Sequence, residues 1–265
     1  MELLYQDEIN KFINGVTFDT CPKTIAFVGE IGSGRKTATK ILADNLGVRL
    51  SDITKKLSFD DITEIYTSVT PCVYAVDGDQ LTDRDQYSIL KLLEEPPKLS
   101  IIVVSCESGK LLDTIMNRCY TLKFKPYEAH ELESFVDNKN NPILEMFRTP
   151  GKVVKYQNYN LEPYYKLANN MVANFNRANI SNILTISNKF DFDKKVTKED
   201  KLDFSLFVNV LHKVIYRNSV KNSDVRPLYD EVSSLLKNTM IPNLNNKFLL
   251  ERFLLKAKMS KYLWE

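Results

Sequence analysis

The chain has 265 residues, 43% of them hydrophobic, enough to bury a core in roughly two domains of about 100–200 residues without disulfide or metal staples. Lys and Arg number 36 against 34 for Asp and Glu, and a net charge of +2 sets up no global field of the kind a DNA-coating protein needs, so any nucleic-acid contact must be local. The opening MELLYQDEINKF is polar and amphipathic rather than basic and then apolar, and no apolar run approaches the ~18 residues of a membrane span; the expectation is a soluble, cytoplasmic protein with no membrane partner.

Between Thr24 and Gly151 short apolar runs alternate with helix-period stretches, the pattern of parallel strands joined by crossover helices. The runs Thr24–Val28, Cys72–Asp77, Ser100–Ser105 and Tyr120–Phe124 are rich in β-branched and aromatic residues and apolar on both faces, as strands covered by helices on both sides require. Arg35–Leu46, Phe59–Val69, Asp83–Glu95 and Lys110–Cys119 carry apolar residues at spacings of three and four and are the predicted crossover helices. Asp83 is the expected N-cap of the third, and Pro96-Pro97 its stop. After Tyr127 the strand signal fades. A short stretch to about Asn158 holds two helical patterns and the breaker Thr149-Pro150-Gly151. Leu161–Asn176, Leu202–Asn218, Arg226–Lys237 and Asn246–Ser260 then read as amphipathic helices, with Lys194–Lys201 a solvated loop. The division expected is an α/β domain over 1–126, a small helical domain over 127–158 and a helical bundle over 159–265.

Cys21, Cys72, Cys106 and Cys119 form no CxxC pair and read as reduced thiols, neither disulfides nor zinc ligands. His130 and His212 are too few and too isolated for a metal cluster or a catalytic triad.

The chemistry-bearing motif follows the first strand: Gly29-Glu30-Ile31-Gly32-Ser33-Gly34-Arg35-Lys36-Thr37, then a helix, is the setting of a phosphate loop. Such a loop needs glycines so that backbone N–H groups can wrap phosphate, a lysine to neutralise it, and a hydroxyl for magnesium. Two registers compete. With Gly29 and Gly34 as the loop glycines, Arg35 takes the lysine position and Lys36 displaces the hydroxyl. With Lys36 and Thr37 in their usual places, Glu30 and Arg35 occupy glycine positions. Neither supplies the full set, so the loop is expected to bind ATP or ADP weakly or not at all. After the strand Cys72–Asp77 an ATPase presents an Asp for magnesium and then a Glu to orient water. Here Asp77 is followed by Gly78, which has no side chain to act as base, and then by Asp79.

Residues Val76 to Cys119 resemble the centre of bacterial sliding-clamp-loader subunits of the gamma/tau and delta-prime type. Ser88 to Pro97 (SILKLLEEPP) looks like the family's LLKxLEEPP helix, Ile101 to Ser105 like its first sensor strand, and Leu112 to Cys119 (LDTIMNRC) like its LxxTIxSRC motif, with Asn117 for the usual Ser. Outside that stretch, Leu57 to Ile62, Thr149 to Lys152 and Asn245 to Lys256 are similar to a segment before the second helix, the lid turn and the last collar helix. The resemblance implies an AAA+ P-loop domain, made of a parallel sheet with helices on both faces, followed by a small helical lid and an all-α C-terminal collar. It also implies an assembly in which ATP sites lie between subunits, with Arg118 an arginine finger acting in trans, Ser105 a first sensor and Lys152 a second. The implied partners are gamma/tau-type ATPase and delta-type subunits, the sliding clamp, and primer-template DNA held by the whole assembly. The family's four-cysteine zinc module is missing, so no metal is expected. A decayed loop with Arg118 retained fits a non-hydrolysing, delta-prime-like member better than an active gamma-like motor, a P-loop kinase or a free-standing DNA adapter. The Asn-, Lys- and Tyr-rich composition fits an AT-rich genome, such as a phage's.

Overall fold

The computed structural model describes residues 2–53, 59–174, 186–187, 189–191, 202–221, 225–239 and 244–259. The chain divides into two compact units, Met1–Gln157 and Asn158–Glu265. In the first, α1 (Asp7–Gly15) leads into β1 (Thr24–Val28), α2 (Arg35–Leu46), β2 (Arg49–Ile53), α3 (Phe59–Thr67), β3 (Cys72–Asp77), α4 (Asp83–Glu94), β4 (Ser100–Cys106), α5 (Asp113–Met116) and β5 (Tyr120–Lys123), and then α6 (Ala129–Leu132) and α7 (Pro150–Tyr156). The five strands form one sheet in the order β2-β3-β4-β1-β5, and every neighbouring pair is parallel.

Alternation along the central strands sends side chains to two separate cores. Ala26, Tyr74, Val76, Ile102 and Val104 face Ile65 of α3, Ile89, Leu92 and Leu93 of α4, and Ile115 of α5. The residues between them, Ile25, Phe27, Val73, Ile101 and Val103, face Ile9 and Ile13 of α1 and Ala38, Ile41 and Leu42 of α2. All of β1 and β4 is buried, because both strands lie inside the sheet with helices on either side. This layering brings the strands' C-terminal ends, where β1 and β3 run into their loops, to one edge.

Several expectations are corrected. Strand β2 and helix α1 carry no strong sequence signal; β2 is an edge strand with half-exposed residues and lacks the continuous apolar run that marks β1 and β4. The helix expected over Lys110–Cys119 shrinks to the single turn of α5, because Gly109 is left-handed and Leu112 extended, so the chain is still turning there. Asp83 does not cap α4. Thr82 does, accepting from the Asp85 N–H at 3.3 Å while the Asp85 carboxylate accepts from the Thr82 N–H at 3.1 Å, a reciprocal box. Thr149-Pro150-Gly151 is a helix start rather than a breaker: Thr149 is the N-cap of α7 and Pro150 occupies its first position, where no N–H is needed.

The second unit is helical. Helices α8 (Glu162–Asn174), α9 (Phe204–Lys221), α10 (Arg226–Thr239) and α11 (Asn246–Met259) each pack against the next. One short parallel ladder, β6 (Phe190–Asp191) with β7 (Leu202–Asp203), seats the Phe190 ring 4.5 Å from that of Phe207. His212 sits between helices with Nε2 3.2 Å from Ser233 Oγ, and burial holds its pKa below the ordinary histidine value. The expected loop Lys194–Lys201, Leu57 and Ser58 of the segment before α3, and Phe175, Asn176 and Ser260 at the predicted helix ends lie outside the described residues. Among the described residues no helix is long and apolar enough to cross a membrane.

Replacing Thr82 with Ala removes the acceptor for the Asp85 N–H and is expected to cost about 1 kcal/mol. The change should appear as a lower urea midpoint with an unchanged slope.

Candidate nucleotide site

The loop leaves β1 with the Gly29 N–H still bonded to Cys106 O at 3.0 Å, turns at Glu30, whose carbonyl accepts from the Ser33 N–H at 3.0 Å, and enters α2 through Gly34. Gly34 has φ +106°, a conformation L side chains rarely adopt, so the helix entry demands glycine there. The strand, loop and helix therefore have phosphate-loop topology. What the side chains do with it is different.

Arg35, the first residue of α2, is buried at 9% exposure and turns inward, with Nη2 2.7 Å from Asp79 Oδ2. Asp79 Oδ1 accepts the Glu107 N–H at 2.7 Å, so one carboxylate ties the start of α2 to the turn after β3 and the exit of β4. The other guanidinium nitrogen, Nη1, is buried without a hydrogen-bond partner, and so is Ser33 Oγ. Lys36 is exposed, with Nζ 3.5 Å from Asp77 Oδ2, and Thr37 is exposed beside it. Lys36, Asp77 and Ser105 line one cleft together with Thr39. Asp77 and Ser105 face each other in register on β3 and β4. Asp77 is otherwise engaged locally: Oδ1 accepts the Asp79 N–H at 3.3 Å and Oδ2 the Gln80 side-chain amide at 3.1 Å.

Gly78 is buried against β4. A Cβ placed there would lie 3.1 Å from Cys106 Cβ, Ser105 O and Val104 Cγ1, so the position expected to carry a water-orienting glutamate has little room for a side chain.

Lys152 is also brought to the loop, where its ammonium pairs with the carboxylate of Glu30. The Ile31 N–H, which in a phosphate-binding loop faces an anion, donates to Glu107 Oε1 at 3.3 Å. Arg35, Lys36 and Lys152 thus each face a protein carboxylate. A magnesium triphosphate bound here would have to displace those carboxylates.

Arg118 lies elsewhere. Its carbonyl accepts from Thr24 Oγ1 at 2.6 Å, at the start of β1, whereas the loop begins five residues later at Gly29, about 16 Å along an extended strand. Its guanidinium pairs with Glu94 at the end of α4, and Nη1 donates to Thr114 O at 2.6 Å. The side chain is 34% exposed. The sequence alone does not reveal Glu30, Asp79 and Glu107 as partners of these groups. The acids beside the motifs are a visible signal for Glu30 and Asp79. Glu107 has none.

All four cysteines are free thiols. Burial pushes Cys21 and Cys119 up to about 11 and Cys106 up to about 12, so these three stay protonated at neutral pH and are poor metal ligands. Among the described residues no group of three or more His, Cys, Asp or Glu could hold a metal ion.

A parallel sheet in the order β2-β3-β4-β1-β5, with a glycine loop between β1 and α2 and an acidic turn after β3, is an AAA+-like P-loop fold. A point variant of RuvB from Thermotoga maritima shares it, with a TM-score of 0.50 at 14% identity over 95% of this chain and 89% of that one. Residues 66–128 match the family described as DNA polymerase III, delta subunit; the match takes in Asp77, Ser105 and Arg118 but not the loop 29–37. Over 57 residues the chain is 45% identical to DNA polymerase III subunit delta-prime of Bacillus subtilis, covering 21% of this chain and 17% of that protein. It is 29% identical to DNA polymerase III subunit gamma/tau of Mycoplasma genitalium over 47% of this chain and 27% of that protein. Over these stretches the chain is similar to DNA polymerase III subunits of the delta, delta-prime and gamma/tau kinds. It spans less than a third of the length of either curated relative.

Gly78→Glu, which restores the missing carboxylate in sequence, is expected to lower stability by about 1–3 kcal/mol through overpacking against β4. It should yield no ATP hydrolysis by the isolated chain, as read by phosphate release and thermal unfolding of the same preparation.

Proposed function

We propose that this chain is a delta-prime-like subunit of a sliding-clamp loader, one that hydrolyses no ATP itself and lends Arg118 to the nucleotide of an adjoining subunit. The observation that carries the reading is the separation of the two chemistries. Arg118 stands at the opposite end of β1 from the chain's own loop, held by Glu94 and the Thr114 carbonyl, while the loop's cations are spent on Glu30, Asp77 and Asp79. An arginine that cannot reach its own site but is partly exposed and oriented can serve a site completed by a second subunit, where a guanidinium stabilises the charge developing on a transferring phosphoryl group.

In this reading Gly29, Gly32, Gly34, Arg35, Lys36, Thr37, Asp77, Ser105 and Lys152 are the remains of a nucleotide site that holds ATP or ADP weakly if at all, with no metal and no zinc. Residues 127–158 are the lid and residues 159–265 the collar through which the subunit assembles. The partners are gamma/tau-type ATPase and delta-type subunits, the sliding clamp and, through the assembly, primer-template DNA. The setting is the bacterial cytoplasm or a phage-infected host. The alternative, an active gamma/tau-like motor, draws on the meeting of Lys36, Asp77 and Ser105 in one cleft.

The test is a loader reconstituted with its motor subunits. Arg118→Ala is expected to leave assembly unchanged by gel filtration and to cut clamp- and DNA-stimulated hydrolysis at the adjoining site by about 10³-fold or more. Arg118→Lys should not restore it, because an ammonium lacks the planar fork. Hydrolysis equal to wild type in the Ala variant would remove the finger from the account, and steady turnover by the isolated chain would make it a motor.

A further inference from the structure

Three consecutive carbonyls of the loop are each taken by a donor from residues 127–151. Thr149 Oγ1 donates to Ile31 O at 3.1 Å, the Gly151 N–H to Gly32 O at 2.9 Å, and the Tyr127 hydroxyl to Ser33 O at 3.4 Å. The two backbones touch. A Cβ on Gly151 would fall 2.7 Å from Gly32 Cα, and one on Gly32 would fall 3.1 Å from Gly151 Cα, so neither position tolerates a side chain without the segments parting. Beside this contact Lys152 pairs with Glu30, with side chains only 21% and 33% exposed, and on the loop's other flank Glu107 accepts the Ile31 N–H.

We propose that residues 149–156 are latched onto the phosphate loop by the chain's own groups, with Glu30 and Lys152 as the electrostatic half of the latch, so that closure over the loop requires no nucleotide. In a loop that works, a phosphate is the anion shared by the loop and a basic residue reaching over it. Here the Glu30 carboxylate is built into the loop and supplies that anion permanently, and Lys152 is the basic residue that finds it. The backbone bonds set the fit and the ion pair holds it shut. The residue that spoils the loop for phosphate is therefore the one that closes it. This inference rests on the proposed reading of the loop as one that does not take up nucleotide.

Hydrogen exchange on the full chain tests it, following the amides of residues 151–156 in wild type, Glu30→Gln, Lys152→Gln and the reversed pair Glu30→Lys with Lys152→Glu, each with and without millimolar MgATP. Either single variant is expected to speed exchange of these amides by about tenfold, the size of one partly exposed charge-assisted hydrogen bond. The reversed pair should return toward wild type, and MgATP should change nothing. Core amides of β4 serve as the control for global loosening. If they also speed up, Thr149→Val, which removes only the hydroxyl bonded to Ile31, must speed the same 151–156 amides selectively. Unchanged exchange in the single variants, or in Thr149→Val where that control is needed, overturns the latch. Protection that rises with MgATP in wild type overturns the reading of the loop beneath it, and the two failures are read from different arms.

Discussion

The C-terminal edge of the sheet is organised around the ion pair of buried Arg35 and largely covered Asp79. Removing two charges from water costs several kcal/mol each, and the pair holds only because its members remain together and find further hydrogen bonds. Asp79 meets that condition by accepting both Arg35 and the Glu107 N–H, and in doing so fixes the entry to α2, the turn after β3 and the exit from β4 relative to one another. Arg35 could swing out toward a phosphate only by leaving the largely covered Asp79 carboxylate without its cation. The arginine that one alignment places at the phosphate-binding lysine is thus a structural post beneath the loop.

Once that post is set, the rest of the edge follows from charge. Lys36 is drawn to Asp77 and Lys152 to Glu30, and each base that could have met phosphate meets a carboxylate of the same chain. The opposite edge has the contrary character. There Arg118 is anchored by one carboxylate and one carbonyl and remains a third exposed. The proposed division of labour, with an inert centre and an exported arginine, is a statement about these two edges of one sheet.

Strands β1, β3 and β4 are legible because burial on both faces writes a continuous apolar run into the sequence. The edge strand β2 is not, since half-exposed RLSDI carries neither a run nor a clean alternation. Helix α5 is over-read from apolar spacing alone; the left-handed Gly109 and the extended Leu112 interrupt what periodicity would continue. Of the site, the meeting of Lys36, Asp77 and Ser105 follows from strand order and can be anticipated. The inward turn of Arg35 cannot, because its partner lies 44 residues away and the choice between phosphate and Asp79 is made by burial. The contact of Gly151 with Gly32 is likewise hidden: two glycines far apart in sequence announce nothing about lying backbone to backbone.

The most direct test of the central claim, that the loop's cations are already satisfied by the chain's own carboxylates, is calorimetric titration of the isolated chain with a magnesium complex of a non-hydrolysable ATP analogue. No saturable heat is expected up to millimolar ligand. A magnesium-dependent isotherm with a micromolar Kd would contradict it, because binding of that strength requires Arg35, Lys36 or Lys152 to leave its carboxylate for phosphate.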